Sequence, residues 1–188
     1  MATNLVTLNE YKDYAGISTS EQDTKIKNVI TYTSDFIKEY CSRTFIDNFS
    51  NGTATSIVEV WSGGVDYYYP KEFPVLSITK VEYSSDWGTT YTTLTAGVDF
   101  AHDLERDRLY IPGAAAIEGI NAYKITYTGG YSTTPASLKA AALDLVSYYM
   151  KHEASPRKTA GSVSIEYIRS SDLPPHIKRV LDLYRVMD

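Results

Sequence analysis

The chain has 188 residues, 43% of them hydrophobic, which is enough for one ordinary core, and its single cysteine, Cys41, provides no disulfide framework. A net charge of −5 argues against a protein whose task is to hold nucleic acid, because phosphate neutralisation needs clustered Lys and Arg. The first residues, MATNLVTLNEY, lack the basic and apolar regions of a signal peptide, and no apolar run approaches the ~18 residues of a membrane span, so folding inside a cell with no membrane partner is expected.

Charge is unevenly placed: residues 151–188 carry a net of +2 and residues 1–150 a net of −7. The 17 tyrosines suit half-buried sheets and protein interfaces equally, since each joins a rigid apolar ring to a polar tip.

Thr7 followed by Glu10 is a capping box and predicts a short helix over 8–15 that stops at Gly16. Ser20 and Asp23 mark a second start, after which Ile26, Val29, Ile30, Thr33, Phe36, Ile37 and Tyr40 recur at helical spacing over 21–43. Residues 46–56 are turn formers. From Ile57 to about 130 the chain reads as about five short strands: one starting at 57, then 74–83, 91–94, 108–111 and 122–127, with a turn at Asp86-Trp87-Gly88 and an end at Gly129-Gly130. Thr134-Pro135 restarts helix, with a hydroxyl cap and a proline where its missing amide proton costs nothing, and Leu138, Ala141, Ala142, Leu145, Val146, Tyr149 and His152 form the inner stripe. Residues 154–172 have loop composition apart from the alternating Val163, Ile165 and Tyr167, and Leu173-Pro-Pro-His opens a last short helix carrying Ile177, Val180, Leu181 and Tyr184 on one side. The fold class is therefore α+β: a small helical bundle (1–45 and 132–153), an inserted antiparallel β unit (46–131) and an extended C-terminal arm (154–188).

Candidates for chemistry are few. His102, His152 and His176 lie in different elements, and no spacing suits a metal. Asp99, His102, Asp103, Glu105 and Asp107 form the nearest thing to a cluster and read better as a solvated acidic loop than as a cation site. Gly63-Gly64 and Gly129-Gly130 match no phosphate-binding pattern and read as turns, and Cys41 falls on an apolar helix side as a packing residue. The sequence assigns no catalytic, cofactor-binding or metal-binding residue, and the chain is not expected to be an enzyme. A recognition helix needs cationic and amide side chains at its start, and the start here reads Glu21, Gln22, Asp23, Thr24, which together with the net acidity and the length of the second helix counts against a helix-turn-helix reading of 8–43.

Taken in order, these pieces resemble the head-tail connector (adaptor) family of tailed bacteriophages. Leu8–Ile17 with Asp23 and Ile26 is similar to its opening helical pair, Glu39–Phe45 to its exit from the second helix, and Pro74–Tyr83 to its central strand. Ile125–Tyr131 with Pro135 and Leu138–Ala142 resembles its passage into the third helix, and Gly161–Tyr167 with Leu173–Tyr184 its C-terminal arm.

The resemblance implies a structural protein of the virion neck, made in the host cytoplasm. It would form a homo-oligomeric ring of twelve subunits under the portal protein, meet a stopper or tail protein, and let DNA pass without specific binding. An arm of residues 155–188 is expected to bind the portal, Val163, Ile165 and Tyr167 adding a strand and Leu173, Ile177, Leu181 and Tyr184 filling a groove, the alternative being an arm that packs back on its own domain. Acids lining the ring's channel would give DNA no anchored contact. The alternatives are a tail-completion or stopper protein and a monomeric protein- or carbohydrate-binding module.

Overall fold

The computed structural model describes residues 3–117, 119–153 and 173–186. Contacts divide the chain into a helical unit, residues 1–43 and 133–188, and a β unit, residues 44–132. Both helices and antiparallel sheets are present, as an α+β reading requires.

The helical unit contains α1 (Leu8–Ala15), α2 (Asp23–Cys41), α3 (Ala136–Glu153) and α4 (Pro175–Asp182). Thr7 and Glu10 form the expected capping box: Thr7 Oγ1 accepts from Glu10 N at 3.2 Å, and Thr7 N donates to Glu10 Oε2 at 2.8 Å. Glu10 also accepts from Lys139 Nζ at 2.6 Å, and this bond holds its carboxyl below the usual range and fastens α1 to α3. Gly16, at φ 66°, ends α1 in the left-handed turn that glycine adopts without strain.

α2 starts later than the sequence suggests. Ser20 forms a turn in which its carbonyl accepts from Asp23 N, and Gln22 caps the helix without a side-chain bond. What stabilises this end is the pair Lys12–Asp23 at 2.9 Å. At α3, the Thr134 hydroxyl donates to the Leu5 carbonyl at 2.7 Å, where the sequence reading makes it a cap. Ile26, Ile30, Ile37 and Cys41 of α2 meet a core that also contains Leu138, Ala142, Leu145 and Val146 of α3, all buried. The alanines leave room for the close approach of α2 and α3.

The β unit has more strands than the sequence pattern reveals: β1 (Phe49–Ser50), β2 (Thr53–Ala54), β3 (Ile57–Trp61), β4 (Tyr67–Tyr68), β5 (Val75–Tyr83), β6 (Thr92–Thr93), β7 (Ala101–Asp103), β8 (Arg108–Tyr110) and β9 (Tyr123–Gly129). They form a sheet of order β3-β9-β5-β6, a sheet of order β4-β8-β7 and the β1-β2 hairpin, all antiparallel. The missed strands are two or three residues long, too short for alternation to register. β9 alternates buried and half-buried residues, so Tyr123, Ile125 and Tyr127 point inward, opposite Trp61, Glu59 and Ile57 of β3. Trp61 lies flat on Tyr68, ring centroids 3.8 Å apart.

Two carboxylates organise this interior. Glu59 accepts from the Tyr68 hydroxyl and from the Tyr127 hydroxyl, and burial together with that carboxylate pushes both phenols well above their ordinary value. Glu72, 5% exposed, accepts from Thr44 N at 2.5 Å, Thr44 Oγ1 at 2.8 Å and Phe45 N at 3.1 Å. Its own amide donates to Tyr127 Oη at 3.0 Å. Phe45 O accepts from Tyr131 N at 3.0 Å, so the two ends of the β unit are joined. Gly129 and Gly130 make this closure possible: a Cβ on Gly129 would lie 2.2 Å from Glu72 O, and one on Gly130, at φ 93°, 2.5 Å from Phe45 O.

Replacing Glu72 with Ala removes the carboxylate that accepts from the amides of Thr44 and Phe45 and is expected to cost about 2–3 kcal/mol in urea unfolding, with Gly130→Ala also destabilising through clash and positive φ. Glu82 accepts from Lys80 at 2.7 Å and Lys124 at 3.0 Å, and these bonds, Lys80 first, lower its pKa below the ordinary 4.5. Its contribution to stability is complete above 4.5 and is lost as pH falls through the lowered folded value. Thermal midpoints measured from about pH 6 to about pH 3 should therefore fall less steeply in Glu82→Gln than in the parent chain.

Candidate interaction surfaces

Among the described residues, no group of three His, Cys, Asp or Glu side chains could hold a metal. The acids near His102 are engaged one by one in local structure. Asp99 accepts from Thr95 N at 2.7 Å, Asp103 from Arg108 at 2.8 Å, and Asp107 from Val75 N at 2.9 Å. His102 itself sits on β7, and His176 is exposed at 3.8 Å from Asp144. Cys41 is fully buried; desolvation pushes its thiol up to about 12, and Sγ donates to Leu181 O at 3.6 Å. A thiol held protonated in this way is no nucleophile.

The residues expected to meet a partner fall into two groups. Val163, Ile165 and Tyr167 lie outside the described residues. Leu173, Ile177 and Leu181 are 4%, 1% and 0% exposed, inside the helical unit's own core with α2 and α3. The end of the chain is tied down as well: Tyr184 Oη bonds Ser137 Oγ at 2.7 Å, Tyr40 donates to Asp182 at 2.6 Å, and Val186 N donates to Cys41 O at 3.1 Å. These apolar side chains already have a groove to fill, and it belongs to their own chain. Helical spacing shows that α4 has an apolar side, but not whose surface covers it. What α4 and the turn after it offer outward is His176, Lys178, Arg179, Asp182, Leu183 and Arg185, with Lys178 paired to Asp182 at 2.7 Å.

The β unit presents a different surface. It holds five Lys/Arg against eleven Asp/Glu, a net of −6, leaving +1 on the helical unit. Arg108 stacks over Tyr67 at 4.1 Å, Tyr67 packs on Tyr110 at 5.0 Å, and Tyr69 is exposed beside them, the residue types that dominate protein contacts. Trp87 is 76% and Ile120 70% exposed. An open pocket of about 250 Å³ is lined by Tyr83, Leu94, Val98, Asp99, Ile111, Pro112, Ile117 and Tyr123. The sequence showed abundant tyrosine but not which rings reach solvent, because that depends on the register of strands too short to read.

Solved structures of similar fold come from gene transfer agent (GTA) particles. The chain aligns over 98% of its length with 91% of a chain from the neck of an empty GTA particle computed with C6 symmetry, at TM-score 0.54 and 14% identity. It aligns over its whole length with 96% of a chain from the neck of a native GTA particle computed with C12 symmetry, at TM-score 0.51 and 15% identity. In sequence it is 24% identical to the head completion protein of Escherichia phage T5, over 96% of this chain and 98% of that one. The head completion protein family itself matches residues 4–187, nearly all of both units, and this chain belongs to that family.

Proposed function

We propose that the chain is a structural subunit of the phage neck that joins head to tail, without catalytic activity. The observation that carries this reading is the match of the head completion protein family over residues 4–187. The fold shared with neck chains of particles computed with sixfold and twelvefold symmetry supports a ring, and we take twelve copies as its number. The portal protein lies on one side of that ring and a stopper or tail protein on the other. The β unit, at −6, supports a surface on which passing DNA finds no anchored contact, since phosphates are held by clustered cations.

The portal contact is assigned to the C-terminal region. Leu173, Ile177 and Leu181 anchor α4 in its own unit. The outward cations Lys178, Arg179 and Arg185, with residues 155–171, meet the portal. Deleting 155–188 outright would open the helical core and report only misfolding. The informative variants replace 155–171 with a Gly/Ser linker or reverse charge at Arg179 and Arg185. Each is expected to keep the parent's thermal midpoint and to lose co-sedimentation with purified portal. Binding at parental strength in both variants would sink the assignment of this region, and a parent chain that binds tail protein but no portal would favour the stopper role.

A further inference from the structure

Every asparagine of the chain but one precedes a residue with a side chain; the exception is Asn51-Gly52, which the fold places at the tip of the β1–β2 hairpin. Phe49 pairs with Ala54 and Ser50 with Thr53, so Asn51 and Gly52 make the whole turn. They have φ of 49° and 77°, the doubly left-handed turn that Asn-Gly favours. Both residues are exposed, and a Cβ placed on Gly52 would meet nothing within 4 Å.

This tip is weakly held. Among the described residues the hairpin pairs with no other strand, and its base is fastened by Thr55 N and Thr55 Oγ1, which donate to Asn48 O at 2.7 and 3.0 Å. An isolated two-stranded hairpin is marginal in water, and a ladder of two pairs opens locally at small cost. On opening, Asn51 leaves the left-handed conformation, and its amide carbon comes within reach of the Gly52 nitrogen, which no side chain shields.

Asn121 shares the conformation without the freedom. It is exposed with φ 56°, but its carbonyl accepts from Tyr91 Oη at 3.1 Å, and a Cβ on Gly88 would lie 2.9 Å from its own Cβ. The residue after it, Ala122, is 1% exposed and accepts from Ser84 N at 2.8 Å. A turn clamped on both sides cannot bring its side chain round onto the next nitrogen.

We propose that Asn51-Gly52 is a site of spontaneous self-modification, at which the hairpin tip converts to aspartate and isoaspartate. The Gly52 nitrogen attacks Asn51 Cγ; the N–Cγ bond forms as Cγ–Nδ2 breaks, and ammonia leaves with the proton that Gly52 gives up. Attachment of both groups to adjacent residues supplies the proximity that the step needs. Water then opens the five-membered imide at one carbonyl or the other, giving aspartate or a backbone routed through Cγ. Either product adds a carboxylate to a unit already at −6. The rerouted backbone also lengthens a two-residue turn by one atom and breaks the pairing of Ser50 with Thr53. The tip of an old chain thus differs in charge and shape from that of a new one.

The folded full chain, kept in warm, mildly alkaline buffer and digested with trypsin at intervals, tests this. Asn51 falls in the peptide 44–71 and Asn121 in the peptide 109–124, and fragmentation separates Asn51 from Asn48. The mass increase of an amide turned to an acid should accumulate at Asn51 at least about tenfold faster than at Asn121, as a mixture of aspartate and isoaspartate. Asn51→Gln, which must close a larger ring, should convert at that position at least about tenfold more slowly than the parent. An Asn51 that converts no faster than Asn121, one that yields aspartate without isoaspartate, or a Gln variant as fast as the parent would overturn the proposal.

Discussion

The β unit depends on one closure, the hydrogen bond from Tyr131 N to Phe45 O, held in place by the Glu72 carboxylate on the amides of Thr44 and Phe45. An insertion of nearly ninety residues must leave and re-enter a helical sequence, and an open loop of that length carries an entropic cost on closing. Joining its two ends within the β unit places that cost inside a cooperative structure. Glu72 does this from a buried position where a carboxylate is tolerated because donors point at it, among them Thr44 N, Thr44 Oγ1 and Phe45 N. Gly129 and Gly130 are then fixed by sterics, since any side chain there would collide with Glu72 O or Phe45 O.

Around that closure the interior is aromatic and polar at once. Tyr127 links the two carboxylate centres: its hydroxyl donates to Glu59 and accepts from the amide of Glu72. A phenol in this position is positioned by both neighbours, so β9 cannot slip by one residue without losing both bonds and turning Ile125 outward. The sheet's register is therefore set by specific hydrogen bonds as well as by the alternation of β9.

The helices were legible in the sequence because periodicity and capping speak about a few neighbouring residues. Thr7–Glu10 and Gly16 bound α1 as read. Where a cap needs tertiary context the reading failed: Ser20 became a turn and Thr134 turned its hydroxyl to Leu5. The long strands β3, β5 and β9 carry visible β-branched and aromatic runs, whereas β1, β2, β4 and β7 are two or three residues long, too short for alternation to show, and β4 pairs only with the distant β8. Interaction surfaces were least legible. An amphipathic helix such as α4 advertises an apolar side without naming what covers it, and Asp86-Trp87-Gly88 announces a turn without revealing a left-handed tryptophan.

The burial of Cys41 bears on how such a protein survives outside the place where it is made. Its sulfur lies under α4, capped by the carbonyl of Leu181, and its own carbonyl is covered by the amide of Val186. Disulfide exchange and oxidation both begin from a thiolate that a reagent can reach, and this sulfur is neither ionised nor reachable. Copies packed at high local density in an aerated medium would thus acquire no accidental covalent links, and their contacts would remain reversible.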